Sequence, residues 1–328
     1  MADPRICIIG AGALSTRRIY PYMGAAGAEL VGVCDLDAVK AQTNARRFGG
    51  KAYTDMDAML DAEKSDGVIV CIGPAAHPKF AMHVLKRGLP VYTEKPPAAT
   101  AADALAVARV AQETGLLCTT AFKKRYTAAA DRATQWLQQF DPADRLSISV
   151  DYASAAYKLN PDRPHHTFLL DFTVHIIDLV RYLFGEVTQV FAFARGGQAY
   201  AVSMRFDSGA VGSMNLTDGR SFQVPTEEIE LTVSGGNFMT ISNSSRWRIT
   251  ENGKPGEWRE PPTFTSSGDS GMDTGHLAEL IDYVNALREG RTTTRSSIES
   301  GYRTMVLYEA IDASAKTGRI IDVKYETV

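Results

Sequence analysis

Two stretches of the chain carry side chains whose type and spacing suit proton transfer. In LLDFTVHIIDLVRYLFGE (169–186), Asp171, His175 and Asp178 recur at i, i+4 and i+7, which is one face of a helix. Their neighbours Phe172, Val174, Ile176, Ile177, Leu179 and Val180 are apolar, so the segment reads as a narrow polar stripe on a largely buried helix. Buried carboxylates and imidazoles need partners. For Asp178 an internal hydrogen-bond network, for instance with Arg181, is the favoured reading. For Asp171 and His175 three readings stand: an internal network, an acid–base pair facing a cavity, or two ligands of a metal site for which no third ligand is identified. The acid–base pair is preferred, and no metal is expected. The second stretch, VYTEKPPAAT (91–100), sets Lys95 between Glu94 and two prolines, just after a run that reads as a buried strand. A lysine in that setting calls for a task.

A third stretch points to a nucleotide. CIIGAGALS (7–15) puts Gly10 and Gly12 where a strand would end and a helix begin. There the first glycine makes the tight turn, the second lets a pyrophosphate approach the backbone, and the helix N-terminus offers N–H groups. Ser15 occupies the third glycine position and is small enough to keep helix and strand close. Taken alone, the turn also fits another kind of phosphate site. Asp35, ending LVGVCD twenty positions after Ser15, selects the dinucleotide: at the tip of a second strand it can accept hydrogen bonds from ribose hydroxyls and repel a 2'-phosphate. Asp37 adds a second negative charge. NAD(H) is therefore expected in preference to NADP(H).

These residues need a scaffold, and the pattern of the chain supplies one. Over about the first 120 residues, short apolar runs (RICIIG, ELVGVCD, GVIVCIG, PVYTEK, LLCTTAF) alternate with amphipathic ones such as DAVKAQTNARRFG and HPKFAMHVLKRG. That is the texture of a parallel sheet covered by helices. After Phe122 a helix-like segment, TAAADRATQWLQQF, leads into alternating runs. LSISVDYAS sets Ile148, Val150 and Tyr152 on one face, against Ser147, Ser149 and Asp151 on the other. A turn at Asp207, Ser208 and Gly209 joins two further strands, and EEIELTVSGGNFMTISNSSRWRITENGKPGEW continues the pattern. Two helices close the chain, the second opening on a capping box read at Ser296 and Glu299. The expected fold is an α/β Rossmann domain over 1–122 followed by an α+β domain over 123–328, built on a large open, mainly antiparallel sheet. The glycine- and serine-rich segment FTSSGDSGMDTG (264–275) reads as a plain connection in preference to a lid.

Composition excludes several classes. At 328 residues with a formal net charge of -3 and no Lys/Arg block longer than three, the chain lacks the footprint of a nucleic-acid binder. No apolar run approaches the roughly 18 residues of a membrane span, and the N-terminus lacks the pattern of a signal peptide. A cytoplasmic protein is expected. Cys7, Cys34, Cys71 and Cys118 are widely spaced beside apolar runs and read as reduced core thiols.

With the glycine turn, Asp35, EKPPA and DFTVHIIDL in this order, the chain resembles the glucose-fructose oxidoreductase and inositol dehydrogenase family (Gfo/Idh/MocA). GPAAHPKFAMHVLKRGLPVYTEKPPA and AFKKRY extend the likeness through nearly the whole chain. The resemblance implies a cofactor site made by Gly10, Gly12, Ala13, Leu14 and Asp35, with Pro74, His77, Glu94 and Lys95. It implies that Lys95, beside the restraining Pro96, stabilises a developing alkoxide, that His175 takes the hydroxyl proton, and that Asp171 orients the imidazole or a substrate hydroxyl. Two departures stand out, the first bearing on the substrate pocket and the second on local loop geometry. HHTFLL replaces glycines common before the helix, with Thr173 where glycine is frequent, and KKRYTAAA lacks a proline common after the arginine. Bulkier residues before the helix should reshape the substrate pocket. Lys123 and Tyr152 are candidate substrate contacts, with a structural role favoured for each.

The function implied is an NAD-dependent oxidoreductase acting on a secondary alcohol or ketone of a sugar, glycoside or cyclitol. A variant holds NAD tightly and uses it transiently in glycoside conversion. A rival of another class is a non-catalytic sugar- and nucleotide-sensing regulator, against which the joint presence of Lys95, Asp171 and His175 argues. The expected partners are a small polyhydroxylated substrate and a second copy of the chain, as a dimer or tetramer formed through the C-terminal sheet. No nucleic acid and no membrane are expected.

Overall fold

The computed structural model describes residues 2–158, 165–221, 227–260 and 274–328. In chain order the first elements are β1 (Arg5–Ile9), α1 (Ala13–Arg18), β2 (Glu29–Cys34), α2 (Ala38–Phe48), β3 (Lys51–Tyr53), α3 (Met56–Glu63), β4 (Gly67–Val70), α4 (His77–Lys86), β5 (Val91–Thr93), α5 (Ala101–Thr114) and β6 (Cys118–Thr120). Then come α6 (Ala128–Leu137), β7 (Arg145–Ala155), a π-helical turn (Phe168–Phe172), α7 (Val174–Phe184), β8 (Val187–Arg195), β9 (Ala199–Phe206), β10 (Val211–Arg220), β11 (Glu227–Val233), β12 (Asn237–Ser242), β13 (Arg246–Glu251) and β14 (Lys254–Pro255). The chain closes with α8 (His276–Glu289), α9 (Ile298–Thr317) and β15 (Ile321–Asp322).

The chain divides into two compact units: residues 1–123 with 275–302 and 328, and residues 124–274 with 303–327. The first holds a six-stranded parallel sheet in the order β3-β2-β1-β4-β5-β6. On β1, Ile6 and Ile8 pack into one apolar cluster and Cys7 and Ile9 into another, so both faces are covered, and the strand reads as a continuous hydrophobic run for that reason. The strand order reverses direction between β1 and β4, and in open sheets of this kind ligands bind beyond the strand ends at such a point.

Chain order alone groups α8 with the second sheet, within 123–328. By packing it returns to the first unit, where Leu280, Tyr283 and Val284 bury against Ile6, Ile69 and Tyr92. The Tyr92 hydroxyl donates to Glu279 Oε2 at 2.8 Å, and the Tyr283 hydroxyl to the Pro90 carbonyl at 3.1 Å. The start of α9 also differs from the capping box read at Ser296. Ser297 is the cap, accepting the Ser300 amide at 3.2 Å, while the buried Ser296 hydroxyl donates to the Thr120 carbonyl at 2.6 Å.

The second unit holds a nine-stranded sheet in the order β14-β13-β12-β11-β7-β10-β9-β8-β15, antiparallel throughout except for the parallel pair β7 and β10. Ile148, Val150, Val202, Met214 and Leu231 line the face that packs on Trp136 of α6, Ile176 and Val180 of α7, and Leu307 of α9. Ser149, Asp151, Ser203, Ser213 and Asn215 lie on the opposite, open face. All four cysteines are free thiols, and three of them are buried. Among the described residues no helix is long and apolar enough to cross a membrane. Of FTSSGDSGMDTG, residues 264–273 lie outside the described residues, and Thr274 and Gly275 form a turn before α8.

Candidate functional site

The site residues of the first unit follow the C-terminal ends of β1, β2, β4 and β5. Gly10 has φ of +109°, and a Cβ there would stand 2.0 Å from the Cys71 carbonyl oxygen, so only glycine closes this turn. At Gly12 a Cβ would meet nothing within 4 Å. The missing side chain leaves open space at the start of α1, where the sequence places the approach of a pyrophosphate. Ser15 is fully buried and donates to the carbonyls of Gly10 and Gly12 at 2.9 and 3.1 Å, so it ties the turn to the helix as well as fitting the space. Ala13 and Leu14, the first residues of α1, are exposed beside it.

Asp35 braces the turn. Its Oδ2 accepts the Ala11 amide at 2.7 Å and its Oδ1 the Asp37 amide at 2.9 Å. A carboxylate has about four acceptor positions. Two are therefore in use in the fold, and two are not. Asp37, read as added negative charge, caps α2 by accepting the amides of Val39 and Lys40, and these bonds hold its carboxyl below the ordinary range.

Past β4, Pro74 is buried and His77 opens α4. The His77 ring accepts the Ile72 amide at Nε2 (3.1 Å), which leaves the proton on Nδ1 to be donated to the Pro96 carbonyl (2.8 Å). Both ring nitrogens are thus engaged by backbone. His77 pins the loop after β4 to the loop that carries Lys95. Glu94 is buried, and its Oε2 accepts the Lys95 amide at 3.0 Å. Lys95 is half-buried, and its peptide bond to Pro96 is cis. Lys123 is half-buried at the head of a 3-10 turn, Lys123–Tyr126.

The sequence reading missed His276, the first residue of α8. Burial, together with the positive charges of Lys123, Arg18 and Lys95, pushes its imidazole down to about 2. The ring is neutral in the fold, and the same influences mark Arg18, Lys95 and Lys123 as a cationic group of the first unit. No local pattern announces it, because His276 reaches this unit only through the return of α8.

In the second unit the polar stripe does not lie on one α-helix. Asp171 belongs to the π-helical turn, Thr173 is the junction, and His175 and Asp178 lie on α7. Thr173, expected to reshape the pocket, is fully buried and donates its hydroxyl to the Leu169 carbonyl at 2.6 Å. Its bulk faces the interior. Asp171 is half-buried: its Oδ2 accepts the Tyr157 hydroxyl at 3.0 Å and stands 3.6 Å from Nδ1 of His166. His175 is 9% exposed.

Asp178 does form a buried network, directly with Arg125 and with Arg181 only through Thr304, whose hydroxyl accepts from Arg181 at 2.7 Å. Arg125 grips it through Nε (2.7 Å) and NH2 (2.5 Å), and Thr304 adds a third donor at 2.8 Å. Arg181 instead reaches forward to Glu186, at 2.8 and 2.6 Å. Tyr152 is partly buried on β7; burial, then the charges of Glu227 and Asp171, push its phenol up. The Lys124 ammonium lies 5.7 Å from the centre of the Tyr152 ring and pairs with the buried Glu227, to which Ser244 also bonds. Tyr157, His166, Lys124 and Glu227 were not singled out from the sequence. Only folding brings each of them to its partner. Among the described residues no group of three or more His, Cys, Asp or Glu side chains is arranged to hold a metal ion.

Both halves of the chain match known proteins. Residues 4–122 match a family model described as "Oxidoreductase family, NAD-binding Rossmann fold", and residues 149–324 one described as "Oxidoreductase family, C-terminal alpha/beta domain". Among curated relatives, a D-apiose dehydrogenase of Paraburkholderia graminis is 23% identical over 97% of this chain and 89% of its own. An inositol 2-dehydrogenase of Acidothermus cellulolyticus is 26% identical over 96% and 92%. Among solved structures, a levoglucosan dehydrogenase in complex with NADH and levoglucosan superposes with a TM-score of 0.85 at 19% identity, covering 98% of this chain and 99% of that one. An oxidoreductase from Agrobacterium radiobacter, in complex with NAD+, L-tartaric acid and magnesium, gives 0.86 at 17% identity, with 98% of each chain covered.

Proposed function

Because the chain belongs to the GFO_IDH_MocA oxidoreductase family, matched through both its NAD-binding Rossmann domain and its C-terminal domain, we propose that it oxidises or reduces one secondary alcohol or ketone position of a sugar, glycoside or cyclitol. The observation that carries the nucleotide half is the glycine turn braced by Asp35. Gly10 cannot bear a side chain, Gly12 leaves a cradle, and the Asp35 carboxylate holds the turn from the tip of β2. When bound, NAD supplies the hydride acceptor or donor. We propose NAD over NADP, because an ionised Asp35 beside a 2'-phosphate is repulsive.

The chain's own groups handle the proton and the charge. In the oxidising direction the hydroxyl gives its proton to neutral His175 as the carbon gives up hydride. The Lys95 ammonium stabilises negative charge developing on that oxygen, and Asp171 accepts a hydrogen bond from a substrate hydroxyl and so orients it. In the reducing direction protonated His175 returns the proton. The names of the D-apiose, inositol and D-glucoside dehydrogenases among the relatives support a polyhydroxylated substrate. We also propose that copies of the chain assemble through the open face of the nine-stranded sheet, on which Phe193 is 67% exposed and Val211 52% exposed.

The test is spectrophotometric. Purified protein is mixed with NAD or NADP and a panel of aldoses, methyl glycosides and inositols, and formation of the reduced nicotinamide is followed by its absorbance. Turnover with NAD on at least one polyol supports the reading. Tight NADH binding with no turnover on any of them, in either direction, would favour a sensing role.

A further inference from the structure

The arrangement around Asp171 contains more than an acid on a helix. The Tyr157 hydroxyl donates to Oδ2 at 3.0 Å, a full hydrogen bond. Tyr157 is itself held at three points: its amide donates to the buried Asp218 carboxylate at 3.0 Å, its ring stands edge-on to Phe172 with centroids 5.5 Å apart, and its hydroxyl reaches Asp171. The phenol is therefore preorganised, and one oxygen of the carboxylate has a defined direction. His166 approaches the same oxygen through Nδ1 at 3.6 Å, with the two side chains 27% and 29% exposed. That distance is too long for a hydrogen bond from a neutral ring and short enough for an ion pair with a charged one. His166 belongs to HHTFLL, the stretch in which this chain departs from the glycines of the family pattern.

We propose that Tyr157 and His166 are positioning residues of Asp171: Tyr157 anchors one carboxylate oxygen whatever the pH, and His166 adds a second hold only when its ring is protonated. This rests on the function proposed above, in which Asp171 orients a substrate hydroxyl. A charged His166 competes with that hydroxyl for the carboxylate, so substrate is held less well in acid. Tyr157 and Tyr152 of the β7 side face the carboxylate, and Tyr152 in turn neighbours Lys124 and Glu227. His175 follows one turn later on α7, β10 brings Asp218 to the Tyr157 amide, and α9 brings Tyr308 to Thr167 beside His166.

Carbon-13 NMR of the full chain labelled at aspartate carboxyls tests the pairing without any substrate. The Asp171 signal, identified by its loss in Asp171→Asn, is expected to shift in a step as His166 titrates. The step should vanish in His166→Gln and persist in His165→Gln and His175→Gln. With a turned-over polyol, KM is expected to rise as pH falls in the parent, to be flat in His166→Gln, and to be raised at every pH in His166→Lys. Tyr157→Phe should lower kcat/KM by about tenfold, the scale of one hydrogen bond to a charged group, with NADH binding unchanged. A step that survives in His166→Gln, or no step at Asp171 between about pH 5 and 8, overturns the proposal. A His166-dependent step in a protein that turns over no polyol supports the pairing and counts against the proposed activity instead.

Discussion

Replacing Asp35 by serine separates two effects that one carboxylate combines. The Oδ2 bond to the Ala11 amide, at 2.7 Å, holds the glycine turn, and Ala11 is only 3% exposed, so water cannot readily replace the lost acceptor. The Oδ1 bond to Asp37 lies at the surface, where water can. Taking the low end for a hydrogen bond to a charged group, the Ala11 bond is worth about 1.5 kcal/mol, or about tenfold in cofactor affinity. Losing the ribose bonds to the carboxylate adds a similar amount, so NADH should bind roughly 10- to 100-fold more weakly. NADPH suffers the same loosening of the turn but is relieved of like-charge repulsion, which for unit charges at ~4 Å runs from about 1 kcal/mol in water to about 4 at an effective dielectric of 20. At the solvent-like end of that range, which suits a half-buried carboxylate, its affinity should move little, within about tenfold. The signature is a preference that narrows mainly through loss of NADH binding. Asp35→Asn, which keeps a carbonyl oxygen for Ala11, should lose less NADH affinity than serine does. Fluorescence titration of both reduced cofactors measures each quantity. Should NADH affinity in Asp35→Ser stay within about threefold of the parent, the carboxylate is not bracing a cofactor turn; should the unmodified protein prefer NADPH, the charge argument is wrong.

Lys95→Ala and His175→Ala are expected to lower turnover by roughly a hundredfold or more while NADH still binds; near-normal turnover in either would remove that residue from the mechanism. In the parent, oxidation should gain efficiency and reduction lose it as pH rises through the ionisation of His175, and both limbs should disappear in His175→Ala. Asp178→Ala leaves the Arg125 guanidinium buried without its carboxylate, at a cost of about 3–5 kcal/mol. Trp136, Trp247 and Trp258 all lie in the second unit, so urea unfolding followed by tryptophan fluorescence reports that loss, and Arg125→Met combined with Asp178→Leu should recover most of it. His276 is held neutral in the fold, its pKa pushed down from 6.5 to about 2, so its contribution to stability is complete above pH 6.5 and is lost progressively as pH falls toward about 2. His276→Gln should flatten that acid limb in a thermal-melt series, and an unchanged limb would place the acid sensitivity elsewhere.

How far the fold was legible depended on whether one face of each element was distinguishable from the other. On β7, Ile148 and Val150 alternate with Ser147, Ser149 and Asp151, and the strand forms as read, with the apolar side buried. On β8, Val190 and Ala192 point into the core, but Phe191 and Phe193 lie on the open face, so alternation disappears from the sequence and the strand was not singled out. β3 was missed for a different reason: three residues, mostly exposed, at the edge of a sheet carry no hydrophobic signal. The return of α8 was illegible in kind. Its apolar stripe announces a helix that buries one face, and nothing in the stripe says which sheet will cover it.

At the candidate site a related limit applies: a local constraint is legible in the sequence, and a distant partner is not. Gly10 is legible because the constraint is local: a left-handed φ and a carbonyl at 2.0 Å from any Cβ admit glycine alone, and the turn motif encodes that requirement within a few residues. Partner choice is not local. Arg181, three residues beyond Asp178, is the nearest cation in the sequence, yet it closes on Glu186 just past the end of α7, while Asp178 takes Arg125 from 53 residues upstream. A buried carboxylate selects the cation that can reach it with both nitrogens in the plane of its two oxygens, and the bidentate grip of Arg125 provides that geometry. The same holds for His77 with Pro96, Tyr157 with Asp171, and Asp35 with Ala11, each joined across 14 or more residues. Residue type and spacing can therefore nominate Lys95, Asp171 and His175 for chemistry. What tunes them is a set of partners brought in by the tertiary fold, and for Asp171 those partners are Tyr157 and His166.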